Sequence, residues 1–205
     1  KNTFEWALKK QGKILFLPDQ HLGRNTALRM GVSNDEMILW DPFKSLGGNS
    51  VEDIEKARII LWKGHCSVHT RFTLEQIKKA RNKYQDVRVI VHPECTPEVV
   101  DNADVYGSTE FIINEVANSK PGSTWAIGTE INLVNRLSKY NKDKNIFSLD
   151  SMVCPCATMY RIHPAYILWV LEGLTEGVVV NQIKVDPDVA AHARVALDRM
   201  LGLPK

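Results

Sequence analysis

The stretch Val87-Arg-Val-Ile-Val91-His-Pro-Glu-Cys-Thr-Pro97-Glu-Val-Val-Asp-Asn102-Ala-Asp-Val-Tyr106 decides the fold class. It opens on a β-branched run, passes through a polar turn, starts a helix with Pro97 at the first position, and ends on a second short apolar run. Strand, helix and strand in succession form a crossover, and crossovers of this kind join parallel strands.

The same alternation extends in both directions. Toward the N-terminus, Ile14-Leu-Phe-Leu17, residues 36–40 and Arg58-Ile-Ile-Leu-Trp62 read as strands. A short helix after Leu22-Gly-Arg-Asn25 is expected to end near Met30-Gly31, and Ser50 with Asp53 makes a generic capping box for another. Residues 73–84 are predicted helical, with Leu74, Ile77, Ala80 and Tyr84 on one face. Toward the C-terminus, helices are predicted at 109–118, 130–140, 164–174 and 188–201, strands at 123–127 and 145–149, and an extended segment at 178–185. Residues 41–49 and 139–144 read as loops. The expected fold class is α/β: repeated βαβ layers with short parallel sheets, related by pseudo-symmetry around a central active site.

Composition bounds the function. The 205 residues are 44% hydrophobic and 24% charged, ordinary for a globular chain, which excludes bulk disorder. A net charge of +2 gives no basic stripe for nucleic acid. The longest apolar run, 165–171, is too short for a membrane span. Four cysteines are too few for a disulfide scaffold at this length. There is no Met at position 1 and no signal-peptide core, so the expectation is a reduced, intracellular chain missing its own beginning.

Polar clusters follow most of the strands, where parallel α/β sheets place their ligand sites. Cys66-Ser-Val-His69 reads as a metal pair, a Cys–His catalytic pair, or core filler. Cys154-Pro-Cys156 does not complete a tetrahedral zinc site, but thiolates on separate loops can close on one iron–sulfur cluster. Each cysteine taken alone reads equally as a small buried hydrophobe. If extended, His92 and Glu94 project to one side as an acid–base pair; the competing reading is a solvated loop. Ser108 and Thr109 before a helix make an anion or phosphate site, or only an N-cap, and Thr129-Glu130 repeats the arrangement. Asp19 and His21 form a catalytic pair or an ordinary surface turn.

Six segments together resemble the quinolinate synthase family: Phe16-Leu-Pro-Asp-Gln-His-Leu-Gly23, Trp62-Lys-Gly-His-Cys-Ser-Val-His69, Val91-His-Pro-Glu-Cys95, Gly107-Ser-Thr109, Gly128-Thr-Glu130 and Cys156-Ala-Thr-Met159. Each is weak alone, but they fall in the family's order along almost the whole chain. The resemblance implies three α/β layers around a [4Fe-4S] cluster held by three cysteines, one per layer, with one iron left open. Two ligands fall on Cys66 and Cys156; Cys95 matches no ligand, and Cys154 is an extra thiol. Residues 1–90 then correspond to the middle layer and 91–205 to the C-terminal layer with its closing helix, the first layer being absent.

The implied activity is that of a transferase of NAD biosynthesis, condensing iminoaspartate with dihydroxyacetone phosphate to quinolinate, phosphate and water. By motif match, Glu94 serves proton transfer, His92 and His69 face the substrate, Ser108 and Thr109 bind phosphate, and Thr129 assists. The implied partners are these small molecules and an aspartate oxidase or dehydrogenase supplying iminoaspartate, with no nucleic acid and no membrane; a homo-oligomer is left open. The implied compartment is the cytoplasm, or the plastid in a plant. Two alternatives stand beside this reading: another iron–sulfur dehydratase, and a cluster-lacking α/β fragment acting as a binding or assembly module.

Overall fold

A computed structural model describes residues 2–10, 12–152 and 156–203. The chain divides into two units, Gly12–Cys156 and Lys1–Gln11 with Ala157–Lys205. Helix α1 (Asn2–Leu8) opens the smaller unit.

The larger unit builds two parallel sheets. In the first, β1 (Ile14–Phe16) is followed by α2 (Gln20–Arg29), β2 (Met37–Trp40), α3 (Val51–Lys56) and β3 (Ile59–Trp62). The strand order is β1-β3-β2, with Ile14 and Met37 both in register with Ile59. α3 begins on the expected capping box: Asp53 N–H donates to Ser50 Oγ at 3.0 Å, and Ser50 N–H donates to the Asp53 carboxylate at 3.2 Å. α2 starts earlier than its sequence suggests, at Gln20. The cause is Asp19, whose Oδ1 accepts from Leu22 N–H at 2.7 Å and so caps the helix.

Helix α4 (Leu74–Lys83) leads into the second sheet, built of β4 (Val87–Val91), β5 (Val105–Tyr106), β6 (Thr124–Gly128) and β7 (Asn145–Ser148). The order is β5-β4-β6-β7, all parallel. Its crossovers are α5 (Pro97–Asn102), α6 (Thr109–Ala117) and α7 (Ile131–Tyr140). Alternation along β4 assigns its two faces. Val87, Val89 and Val91 join Ile77 and Ala80 of α4 and Val99 and Val100 of α5 in one core. Ile90 joins Ile112 and Val116 of α6 and Val134 and Leu137 of α7 in the other, around the fully buried Trp125. Covering both faces explains why β4 and β6 are largely apolar, with the exposed Arg88 the exception in β4. These layers bear out the expected α/β class.

In the smaller unit, α8 (Pro164–Thr175) and α9 (Pro187–Leu201) each carry Pro at the start, and Asp186 caps α9 through Asp188 N–H at 2.9 Å. The Arg199 guanidinium lies 5.7 Å from the Trp6 ring centre. The extended segment expected at 178–185 forms no strand. Within this unit no strand exists among the described residues for it to pair with, and Asn181 turns the backbone to φ 53°. No helix of the described residues is long and apolar enough to cross a membrane.

Candidate functional site

In the order β5-β4-β6-β7, the chain leaves β4 toward one edge and β6 toward the other. Their carboxyl ends therefore flank a crevice at the point where strand order reverses, which is where such sheets bind ligands. His92 follows β4 and Thr129 follows β6. The loop after β3 brings Cys66 and His69 to the same place.

That loop is held from the first sheet. Gln20 N–H donates to Gly64 O at 3.0 Å, and Cys66 N–H donates to Asp19 Oδ2 at 2.8 Å. A Cβ at Gly64 would lie 2.1 Å from Pro18 O, so only glycine permits this backbone approach. Val68 begins the turn into a short 3-10 segment, His69–Arg71, that buries the His69 ring.

His69 is the hub. Its Nδ1 lies 2.8 Å from Glu94 Oε2 and its Nε2 lies 3.2 Å from Thr129 Oγ1, while the His92 ring stacks on it at 4.4 Å between centres. An ionised carboxylate only accepts, so Nδ1 carries a proton toward Glu94, and Nε2 faces the Thr129 hydroxyl. Cys66, His69 and Glu94 each offer a ligand atom within 4.8 Å of the others. The His69 hydrogen bond is the main force holding the Glu94 carboxyl below its ordinary range, against its partial burial. Burial, aided by the neighbouring His69, pulls His92 down to about 4 although Glu94 opposes it, so His92 is neutral at pH 7. Burial pushes the Cys66 thiol up, with the backbone N–H groups of His69 and Val68 acting the other way.

The anticipated partnership of His92 with Glu94 takes a different form. Cys95 N–H donates to His92 O at 3.0 Å, so His92-Pro-Glu-Cys95 is a turn with Pro93 at its second position. Extended i, i+2 geometry does not apply. Glu94 Oε2 is 3.7 Å from His92 Nδ1 and makes its short contact with His69, 25 residues away in sequence.

The remaining candidates are spread along the same rim. Thr129 is buried against His69, and Glu130 caps α7 through Asn132 N–H at 2.9 Å. Ser108 caps α6, accepting from Phe111 N–H at 3.3 Å, and it and Thr109 are exposed at the end of the edge strand β5. Cys66 and Cys156 are half-buried and pack against the same core cluster. Cys95 is fully buried, its Sγ 3.7 Å from Gly128 O, and burial pushes its thiol up strongly. Cys154 lies outside the described residues. A cavity of about 20 Å³ adjoins Thr129, lined also by Arg71, Ser148 and Asp150, with Arg71 Nη2 3.2 Å from Asp150 Oδ2. Asp19, read as a possible partner of His21, spends both carboxylate oxygens on backbone N–H groups. An Asp just before a helix is a general N-cap signal and could have placed the start of α2 at Gln20, but its grip on Cys66 leaves no sequence signal.

Comparison with known proteins adds the family. Residues 2–202 match the model of the NadA family, quinolinate synthetase A protein. The chain is 57% identical to a quinolinate synthase of Corynebacterium glutamicum over 203 residues, covering 99% of this chain and 52% of that protein. It is 56% identical to that of Acidobacterium capsulatum and 52% identical to that of Geobacillus kaustophilus, covering 99% of this chain and 55% of each of those proteins. The chain thus spans about half the length of these curated relatives. With the match running nearly end to end, the chain belongs to the quinolinate synthetase A family.

Proposed function

We propose that this chain supplies binding and proton-transfer groups for quinolinate synthesis, the condensation of iminoaspartate with dihydroxyacetone phosphate that releases phosphate and water. The observation that carries the proposal is the ionised Glu94 held by His69 beside the Cys66 thiol, at the crevice between β4 and β6.

The donor chemistry fits an iron–sulfur cluster. Cys66 and Cys156 present soft thiols at the edge of one core, partly open, whereas Cys95 is sealed inside it. On this reading Cys66 and Cys156 are two ligands and a third thiolate comes from outside these 205 residues. A [4Fe-4S] cluster with one open iron supplies, when bound, a Lewis acid for a substrate carboxylate, amine or hydroxyl.

The protein groups do the rest. Glu94, ionised and hydrogen-bonded, accepts a proton from substrate carbon or oxygen and gives it up to a hydroxyl departing as water, while the 2.8 Å hydrogen bond from His69 Nδ1–H orients the carboxylate and stabilises its charged form. His92, uncharged, orients substrate by hydrogen bonding without adding positive charge. Thr129 fixes the His69 ring and borders the substrate space. Ser108 and Thr109, with the exposed amides of the α6 start, receive the phosphate. An oxidase or dehydrogenase acting on aspartate supplies the imine.

The test is anaerobic purification of variants, with absorbance and turnover read separately. Cys66→Ser and Cys156→Ser each abolish the brown colour, Cys95→Ser keeps it, and Glu94→Gln keeps the colour while losing turnover. A full cluster in Cys156→Ser would refute the ligand assignment.

A further inference from the structure

Among the described residues the buried polar side chains are Asp19, Asn25, His69, Thr129 and Glu130. His69 and Thr129 form the site, and Glu130 caps α7 beside it. Asp19 and Asn25 belong to α2 and its cap, and neither is among the groups assigned to substrate or cluster. Burying them costs free energy unless each polar atom is used. Where their hydrogen bonds go is therefore informative.

Both reach backbone of the site. Asp19 Oδ2 accepts from Cys66 N–H at 2.8 Å while its Oδ1 caps α2 on Leu22 N–H at 2.7 Å. Asn25 Nδ2 donates to Pro93 O at 2.8 Å and to Cys95 O at 2.9 Å, the two carbonyls that flank Glu94. Between them lies Gly23, where a Cβ would meet Phe16 and Leu61 at 2.6 Å, so α2 can sit close on β1 and β3. The helix also packs on α5. One rigid helix thus grips the loop after β3 at one end and the turn after β4 farther along.

We infer that Asp19 and Asn25 are positioning residues that together set the gap between the Cys66 thiol and the Glu94 carboxylate. Cys66 and Glu94 stand on different sheets, and α2 is the element whose buried side chains bond to backbone on both sides. The inference deepens the reading above, since it rests on Cys66 and Glu94 being the working groups. Its geometric content holds in the metal-free protein.

The test uses the intact protein before cluster reconstitution, with two readouts that do not depend on turnover. One is the iodoacetamide alkylation rate of Cys66, followed on its peptide by mass spectrometry. The other is the low-field Nδ1–H resonance of 15N-labelled His69 bonded to Glu94. Asp19→Ser keeps a helix cap but is too short to hold Cys66. It raises Cys66 alkylation about tenfold, the size expected for losing a hydrogen bond to a charged group, and leaves the His69 resonance in place. Asn25→Ser does the reverse, broadening or shifting the His69 resonance with Cys66 alkylation unchanged. Should Asp19→Ser fail to fold, Asp19→Asn, which keeps volume and one acceptor, takes the same readout. Lowered melting temperatures with both readouts unchanged would mean scaffolding alone and would overturn the inference. A wild-type protein that takes up no cluster would overturn the proposed function and leave these two readouts standing.

Discussion

Glu94 and His92 share a turn but answer acid in opposite chemical senses, with the same consequence for stability. Glu94 has a lowered folded-state pKa, so its contribution is complete above the ordinary carboxylate range and is lost as pH falls through that lowered value. His92 falls from 6.5 to about 4, so the unfolded chain takes up that proton first and stability drains as pH drops from 6.5 toward 4. The His92 share of that loss is roughly 3 kcal/mol across the window. Thermal melts between pH 7 and pH 4 should show the decline, and His92→Gln should flatten it; an equally steep profile in the variant contradicts the assignment. Under the proposed function, Glu94→Gln should lower turnover of the intact enzyme by about 10² to 10⁴, the usual worth of a general base, and should also lower the melting temperature at pH 7 by removing the charge that His69 holds. The Glu94 expectation rests on a contact between residues 69 and 94 and the His92 expectation on burial against His69, so sequence could present the histidines and the glutamate without saying which touch.

At the level of elements, most of the architecture was legible because periodicity and caps act locally. Thr73 closes a capping box on α4, its N–H donating to Gln76 Oε1 at 2.9 Å, and Thr73→Ala should cost about 1 kcal/mol in chemical denaturation. Gly64→Ala should cost more, on the order of 3 kcal/mol, because the obstacle is the Pro18 carbonyl and backbone cannot step aside. It should also disturb Cys66, two residues on, which the alkylation rate of its thiol would register. Two local readings met tertiary facts that sequence does not hold. Pro93 biases His92 toward an extended backbone, which is why the stretch reads as extended, but Pro93 equally suits the second position of a turn, and Asn25 fastens that turn from another layer. Residues 178–185 read as extended, but among the described residues of their unit there is no strand for them to pair with.

For the larger unit as a whole, two parallel sheets meet through α2 and the loops it grips, so order should be greatest at the sheet centres. Amide hydrogen exchange should be slowest at Val89, Ile90 and Ile127, each fully buried within β4 and β6, and fast across 178–186. Uniform exchange over these segments would count against the described core. The rim where the site gathers was readable as a series of polar turns after apolar runs. Their convergence on His69 was not, because it depends on strand order, and order is settled by which faces bury together. Strand order has one more effect. The second sheet ends at β5, only two residues long, with its helix start following at once. An edge that brief offers an incoming chain almost no ladder to extend, so on the β5 side this sheet is guarded against strand addition by neighbouring molecules at high concentration, and the four-residue β7 is left as the edge where such pairing would start.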